Sequence, residues 1–226
     1  MKITFLGQAS LLFETSDLKI IVDPYLSNSV EKVQPQNYRR QPIDQRFLEI
    51  KPDFILLTHN HLDHTDSETL RHYLNENSSV TVLASKNAWN EARKLGGLRN
   101  NYVVFNDGTT WTERGIVFRG VYAEHSDDYA IGVIITAEGK NYYVTGDTLY
   151  NAKVFASLPD EPIEMVFLPV NGVGNNMNLV DAKRFANRID AKHVVPIHFG
   201  MFDQLKVADF KRGIIPKIYE EIKIKE

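Results

Sequence analysis

The chain opens on short alternating and continuous apolar runs. Residues 2–6 (KITFL), 10–14 (SLLFE) and 18–23 (LKIIVD) read as strands, with Gly7-Gln8 and Ser16-Asp17 supplying turn chemistry between them. Residues 24–50 change character: Asn, Gln, Arg and Pro dominate, and the apolar positions keep no period. A connection of that length inside a compact fold is usually a functional element, here a lid or a subunit contact. After Lys51-Pro52 the pattern becomes strand, loop, helix. The run 53–57 (DFILL) is continuously apolar, as in a strand covered on both faces, and a helix is expected over 67–75. Residues 80–84 predict a second buried strand, and Ser85 is placed to cap a helix running to about Leu95. Strands follow at 102–105, 109–112, 116–123, 129–136 and 141–145. The last third alternates again: a helix at 151–157, a strand at 164–169, a helix at 179–189, a strand at 192–196 and a helix near 203–211. Each half thus runs from a β-meander into β/α units. Two mixed sheets packed face to face with helices outside, an α/β fold, satisfy that order.

With 226 residues and no linker or repeat, a single domain over 1–226 is expected. Twenty-six basic against 29 acidic residues give a net charge of −3, which offers nucleic acid or an anionic membrane no footprint. Cysteine is absent, so disulfide scaffolds, thiolate metal sites and cysteine nucleophiles are excluded. The opening MKITFLGQASLLFET lacks the pattern of a secretory signal, and no run is long enough to span a bilayer. A soluble, cytoplasmic protein is expected, with oligomeric state left open.

The chemistry concentrates after the run 53–57, where Thr58-His59-Asn60-His61-Leu62-Asp63-His64 gives H-x-H-x-D-H. Imidazole and carboxylate are ligands for zinc and similar divalent ions. In an extended backbone His59 and His61 point the same way, while Asp63 and His64 lie where the chain turns toward a helix, so one loop could feed two adjacent ions. Three more donors stand just past apolar runs: His125, Asp147 and His198. His72, on a helix, and His193, ahead of a strand, read as structural. Asp23 ends an early strand and could orient a metal-bound imidazole, as such rings need a partner for their second N–H; a plain Asp-Pro turn reads equally well. Asn171, in a Gly-flanked loop, and Arg39 and Arg40, in the irregular segment, are candidate substrate-binding residues, the arginines for an anionic group. Their plain alternatives are a turn residue and a solvated face.

The ordered set H-x-H-x-D-H, His, Gly-Asp, His resembles the metallo-β-lactamase superfamily. Finer features resemble its ascorbate-6-phosphate lactonase-like group of metal-dependent hydrolases: ITFLGQASLLFET, Val22-Asp23-Pro24, Tyr143-Val144-Thr145-Gly146-Asp147-Thr148, Leu168-Pro169-Val170-Asn171-Gly172 and Pro196-Ile197-His198-Phe199-Gly200-Met201-Phe202. That group is also similar to the phospholipase D acting on N-acyl phosphatidylethanolamines. The resemblance implies a four-layer αβ/βα sandwich. It also implies one metal on His59, His61 and His125, a second on Asp63, His64 and His198, and Asp147 between them. Zinc, manganese or iron suits an all-His/Asp set, and the resemblance favours manganese. The expected function is a dinuclear hydrolase that uses a metal-bridging hydroxide on a small ester, lactone or sugar-phosphate-like molecule, with Asp63 and Asp147 catalytic. The alternative is a metal-dependent phosphodiesterase, phospholipase D-like or nucleotide-directed; redox or metal-storage and noncatalytic readings rank below it.

Overall fold

The computed structural model describes residues 1–208 and 210–224. It holds two six-stranded mixed sheets. The first comprises β1 (Lys2–Gly7), β2 (Ser10–Glu14), β3 (Lys19–Val22), β4 (Phe54–Leu57), β5 (Thr81–Ala84) and β6 (Asn101–Val104), paired in that order. The hairpins β1–β2 and β2–β3 are antiparallel, and β3 through β6 run parallel. The second sheet is its mirror in order. It begins with the antiparallel meander β7 (Thr110–Glu113), β8 (Ile116–Tyr122), β9 (Ile131–Ala137) and β10 (Lys140–Val144). The parallel strands β11 (Ile163–Pro169) and β12 (His193–Ile197) follow.

The apolar runs explain the layers. Every side chain of β4, β5 and β11 is buried, because both faces of these strands are covered. One face of each sheet meets the other sheet, where Phe13 packs edge-on against Phe167, and Phe54 packs tilted against Phe118. The outer face of the first sheet carries α2 (Ser67–Tyr73) and α3 (Lys86–Ala92), through Leu70, Tyr73, Ala88 and Ala92. The outer face of the second carries α4 (Ala152–Ala156) and α5 (Leu179–Ile189), through Val154, Ala182, Phe185 and Ala186. The result is the four-layer α/β sandwich expected.

Capping sets the helix starts. Asp66 accepts from the backbone N–H of Glu68 and Thr69 at the start of α2, and Asn178 from Val180 and Asp181 at the start of α5. Ser85 does precede α3, but its hydroxyl makes no capping bond, and α3 stops at Ala92 rather than near Leu95. Residues 24–50 contain a short helix, α1 (Ser29–Val33), and one 3-10 turn over Gln45–Phe47.

The helix expected near 203–211 is not formed at the described positions; residue 209 lies outside them. Asp203 Oδ1 instead accepts from the N–H groups of Gly200 and Leu205, closing a turn. The chain beyond runs along two sheet edges. Val194 of β12 bonds to Arg212 and Ile214, and β1 bonds to residues 219–222. The tail thereby occupies backbone groups that two edge strands would leave open.

Candidate metal site and active-site cavity

The loops leaving β3, β4, β8, β10, β11 and β12 meet the β1–β2 turn at one end of the sandwich. The backbone is bent hard there. Asp23 and His198 adopt left-handed φ of 44° and 60°, a conformation that L-residues adopt at a cost and that clusters at functional sites. Gly146, with φ 62°, sits so close to Ile131 that an added Cβ would lie 2.6 Å from its carbonyl oxygen. Only glycine brings Asp147 in at this place.

Seven donors converge. His59, His61, His125 and Asp147 form one group and Asp63, His64 and His198 another, with candidate ligand atoms within 4.8 Å of one another in each. Asp147 reaches both groups. Its Oδ2 is 3.9 Å from His59 Nε2 and 3.2 Å from His198 Nε2, and its Oδ1 is 3.4 Å from His64 Nε2. Asp63 Oδ2 lies 3.3 Å from His198 Nε2.

Hydrogen-bond partners fix which nitrogen faces inward. Asp23 Oδ2 accepts from Thr58 Oγ1 at 2.6 Å and from His64 Nδ1 at 2.8 Å, which turns His64 Nε2 toward the site and, once the ring is neutral, leaves its lone pair there. Since the Thr58 hydroxyl proton goes to Asp23, its oxygen accepts from His59 Nδ1 at 3.1 Å, and His59 Nε2 is likewise left with a lone pair. The carbonyl of Asn175 takes His125 Nδ1–H at 3.2 Å. His125 Nε2 then faces His61 Nδ1 at 3.2 Å.

Buried His59 Nε2 and Asp147 Oδ1 have no hydrogen-bond partner. Two buried polar atoms without hydrogen-bond partners are costly unless a cation satisfies them. The donor set therefore fits divalent metal ions. Its electrostatics agree. Burial, helped by the neighbouring His64, holds His59 well below the usual imidazole range, and burial lowers His125 too, so both are neutral donors. Burial pulls His198 and His64 down as well, but the surrounding carboxylates, Asp147 foremost, outweigh it. His198 is pushed up to about 9 and His64 is held well above its ordinary value. Burial raises Asp147 and Asp63, but the adjoining His198 and His64 overcome it and keep both carboxyls ionised.

The cluster floors a cavity of about 700 Å³, within the range of small-molecule sites. Asn171 lines it, with an Oδ1 that is buried and unpartnered. Arg39 and Arg40 do not line it. Arg39 donates to the Tyr25 carbonyl and the Tyr219 hydroxyl, and Arg40 to the Phe202 carbonyl while stacking on Tyr38. These bonds tie both guanidiniums to neighbouring segments, away from the lining of the cavity. His72 is exposed on α2 and His193 starts β12, both outside the cluster.

Three contributors were not legible in the sequence. Gln8 Nε2 donates to Asp63 Oδ2 at 2.7 Å and lies 3.1 Å from His198 Nδ1. Thr58 ties Asp23 to His59. Asn176 Nδ2 donates to Asp147 Oδ2 at 2.8 Å. The only cues were the Gln in a tight turn and the Asn pair in a Gly-rich loop.

Comparison with known proteins gives the same class. The family model described as a β-lactamase superfamily domain matches residues 2–198. The chain belongs to the metallo-β-lactamase superfamily. It is 30% identical over 225 residues to a UPF0173 metal-dependent hydrolase of Ligilactobacillus salivarius, covering 95% of this chain and 93% of the relative. It is 29% identical to one of Listeria innocua over 97% of both chains. A Parabacteroides distasonis structure described as a metal-dependent hydrolase superposes with TM-score 0.67 at 27% identity, over 88% of this chain and 82% of that one. An isothiocyanate hydrolase from Delia radicum gut bacteria shares the fold, with TM-score 0.76 at 18% identity over 99% of both chains. The protein is accordingly a metal-dependent hydrolase with a His/Asp metal site. Among the described residues no helix is long and apolar enough to cross a membrane.

Proposed function

We propose that this protein hydrolyses a small ester or lactone with two divalent ions. One would be held by His59, His61 and His125, the other by Asp63, His64 and His198, with Asp147 shared. The observation that carries this reading is the reach of Asp147 into both donor groups on the floor of a small-molecule cavity. Ions so held supply Lewis acidity toward a scissile carbonyl and acidify water at neutral pH. The chain's own groups do the rest. Asp63, which lines the cavity and is steadied by Gln8, takes and passes the proton of the attacking water. Asp23 holds the His64 ring in the tautomer that leaves Nε2 free. Asn171, which lines the cavity, contacts the substrate.

The likeness to the ascorbate-6-phosphate lactonase-like group supports carbon-centred chemistry. The phosphodiesterase alternative has less support, since neither Arg39 nor Arg40 lines the cavity. Manganese- and zinc-loaded protein assayed on a lactone panel beside an activated phosphodiester tests the reading. Ring opening that falls severalfold through KM in Asn171→Ala is the expected result; phosphodiester cleavage alone overturns it.

A further inference from the structure

The cavity walls are as informative as its floor. Above the metal cluster they combine aliphatic and aromatic side chains with amides, among them Gln34, Asn37 and Asn60. On α1, Val30 and Val33 stand three residues apart and share one face, which lines the cavity. Val30 is buried, whereas Val33 is 66% exposed at the mouth. Val173 stands between Gly172 and Gly174, both at φ 67°, and is 69% exposed while lining the same cavity. Two left-handed glycines hold this valine out of the core, and packing within the chain does not account for it.

The charges point the same way. Among the described residues lining the cavity, none is Lys or Arg, and the charged side chains beyond the metal cluster reduce to Asp203. Asp203 Oδ1 is used by the turn at Gly200 and Leu205, and its negative charge faces the cavity. A phosphate or carboxylate beside Val33 or Val173 would therefore find amides but no cationic side chain. Covering the exposed apolar surface of Val33 and Val173 favours an apolar substituent over an ionised one.

We propose that the substrate is an uncharged ester or lactone whose apolar acyl chain or ring substituent packs against the exposed valines Val33 and Val173, and that the site disfavours an anionic substituent there. This rests on the ester and lactone reading above and narrows it. The reaction is simple addition of water across the acyl–oxygen bond, giving the acid and the alcohol.

The test compares 4-nitrophenyl pentanoate with mono-4-nitrophenyl glutarate on the metal-loaded protein, because the pair differs by a terminal methyl against a carboxylate. The expected result is kcat/KM at least tenfold higher for the pentanoate. Val33→Asp and Val173→Asp should each lower it severalfold, mainly through KM. Val173→Lys should raise kcat/KM for the glutarate at least fivefold. Equal or faster cleavage of the glutarate by the unmodified protein, or a Val173→Lys protein that moves neither substrate, overturns the proposal. Saturation-transfer NMR with pentanamide separates binding from turnover. Strongest saturation at the terminal methyl, lost in both Asp variants, supports the apolar subsite even if neither ester is cleaved, in which case the ester reading alone fails. No saturation, or saturation unchanged in both variants, overturns the subsite. Both valines are largely exposed, so the variants should fold, and their melting temperatures check it.

Discussion

His64 is locked to Asp23 by a 2.8 Å contact between two fully buried side chains, and the same carboxylate takes the backbone N–H and the hydroxyl of Thr58. One residue at the end of β3 thus positions donors from both metal groups, His64 directly and His59 through Thr58. The left-handed φ of Asp23 is what turns its carboxylate toward them.

Asp23→Asn removes the charge while tolerating that backbone conformation. The amide still offers an oxygen, but the imidazolium-stabilising charge is gone. Partners of metal-bound imidazoles typically contribute 10–100-fold in affinity. Competition with a chromophoric chelator should show metal affinity reduced by about that factor, with the far-UV circular dichroism unchanged.

Gln8 reaches Asp63 from the opposite side of the site. A hydrogen bond to a charged group contributes about 1.5–3 kcal/mol. Gln8→Ala should lower kcat/KM about 10–100-fold on whichever ester or lactone is cleaved, with two ions still bound. Steady-state kinetics beside metal analysis checks it, and loss of metal in the variant would assign Gln8 a different task.

Proton competition gives the pH dependence. In the metal-free protein His198 titrates at about 9 and His64 is also held high, so both carry protons at neutral pH that a metal must expel. His59 and His125 are lowered and have none to give. Apparent metal affinity should therefore rise with pH until His198 has titrated, near 9, and fall as pH drops below it. Calorimetry in two buffers of different ionisation enthalpy should show net proton release at pH 7; uptake would contradict this.

The metal donors were legible because each follows an apolar run, and strand ends in an α/β sheet converge on one edge. His125, Asp147 and His198 are each unremarkable alone, yet their places past β8, β10 and β12 put them beside His59–His64. The groups that orient them were not legible. Gln8 acts through a left-handed turn, and no side-chain pattern announces that φ. Asn175 acts through its carbonyl, which every residue has. Arg39 and Arg40 lie outside the cavity lining, which was not legible because a sequence shows two cations but not the carbonyls and the hydroxyl they reach. The stretch 203–211 failed for a related reason: Leu205, Val207 and Phe210 do pack on the second sheet's outer core, but from a chain whose course is set by the Asp203 turn and the pairing beside β12.

Metal stoichiometry tests the central claim most directly. Equilibrium dialysis against manganese or zinc, followed by elemental analysis, should find two ions per chain in the unmodified protein. In Asp147→Ala occupancy should fall below two, with kcat/KM down by at least about a thousandfold, the scale of losing a central catalytic group. One ion or none per unmodified chain at saturation, or an Asp147→Ala protein that keeps both ions and its activity, would contradict the shared site.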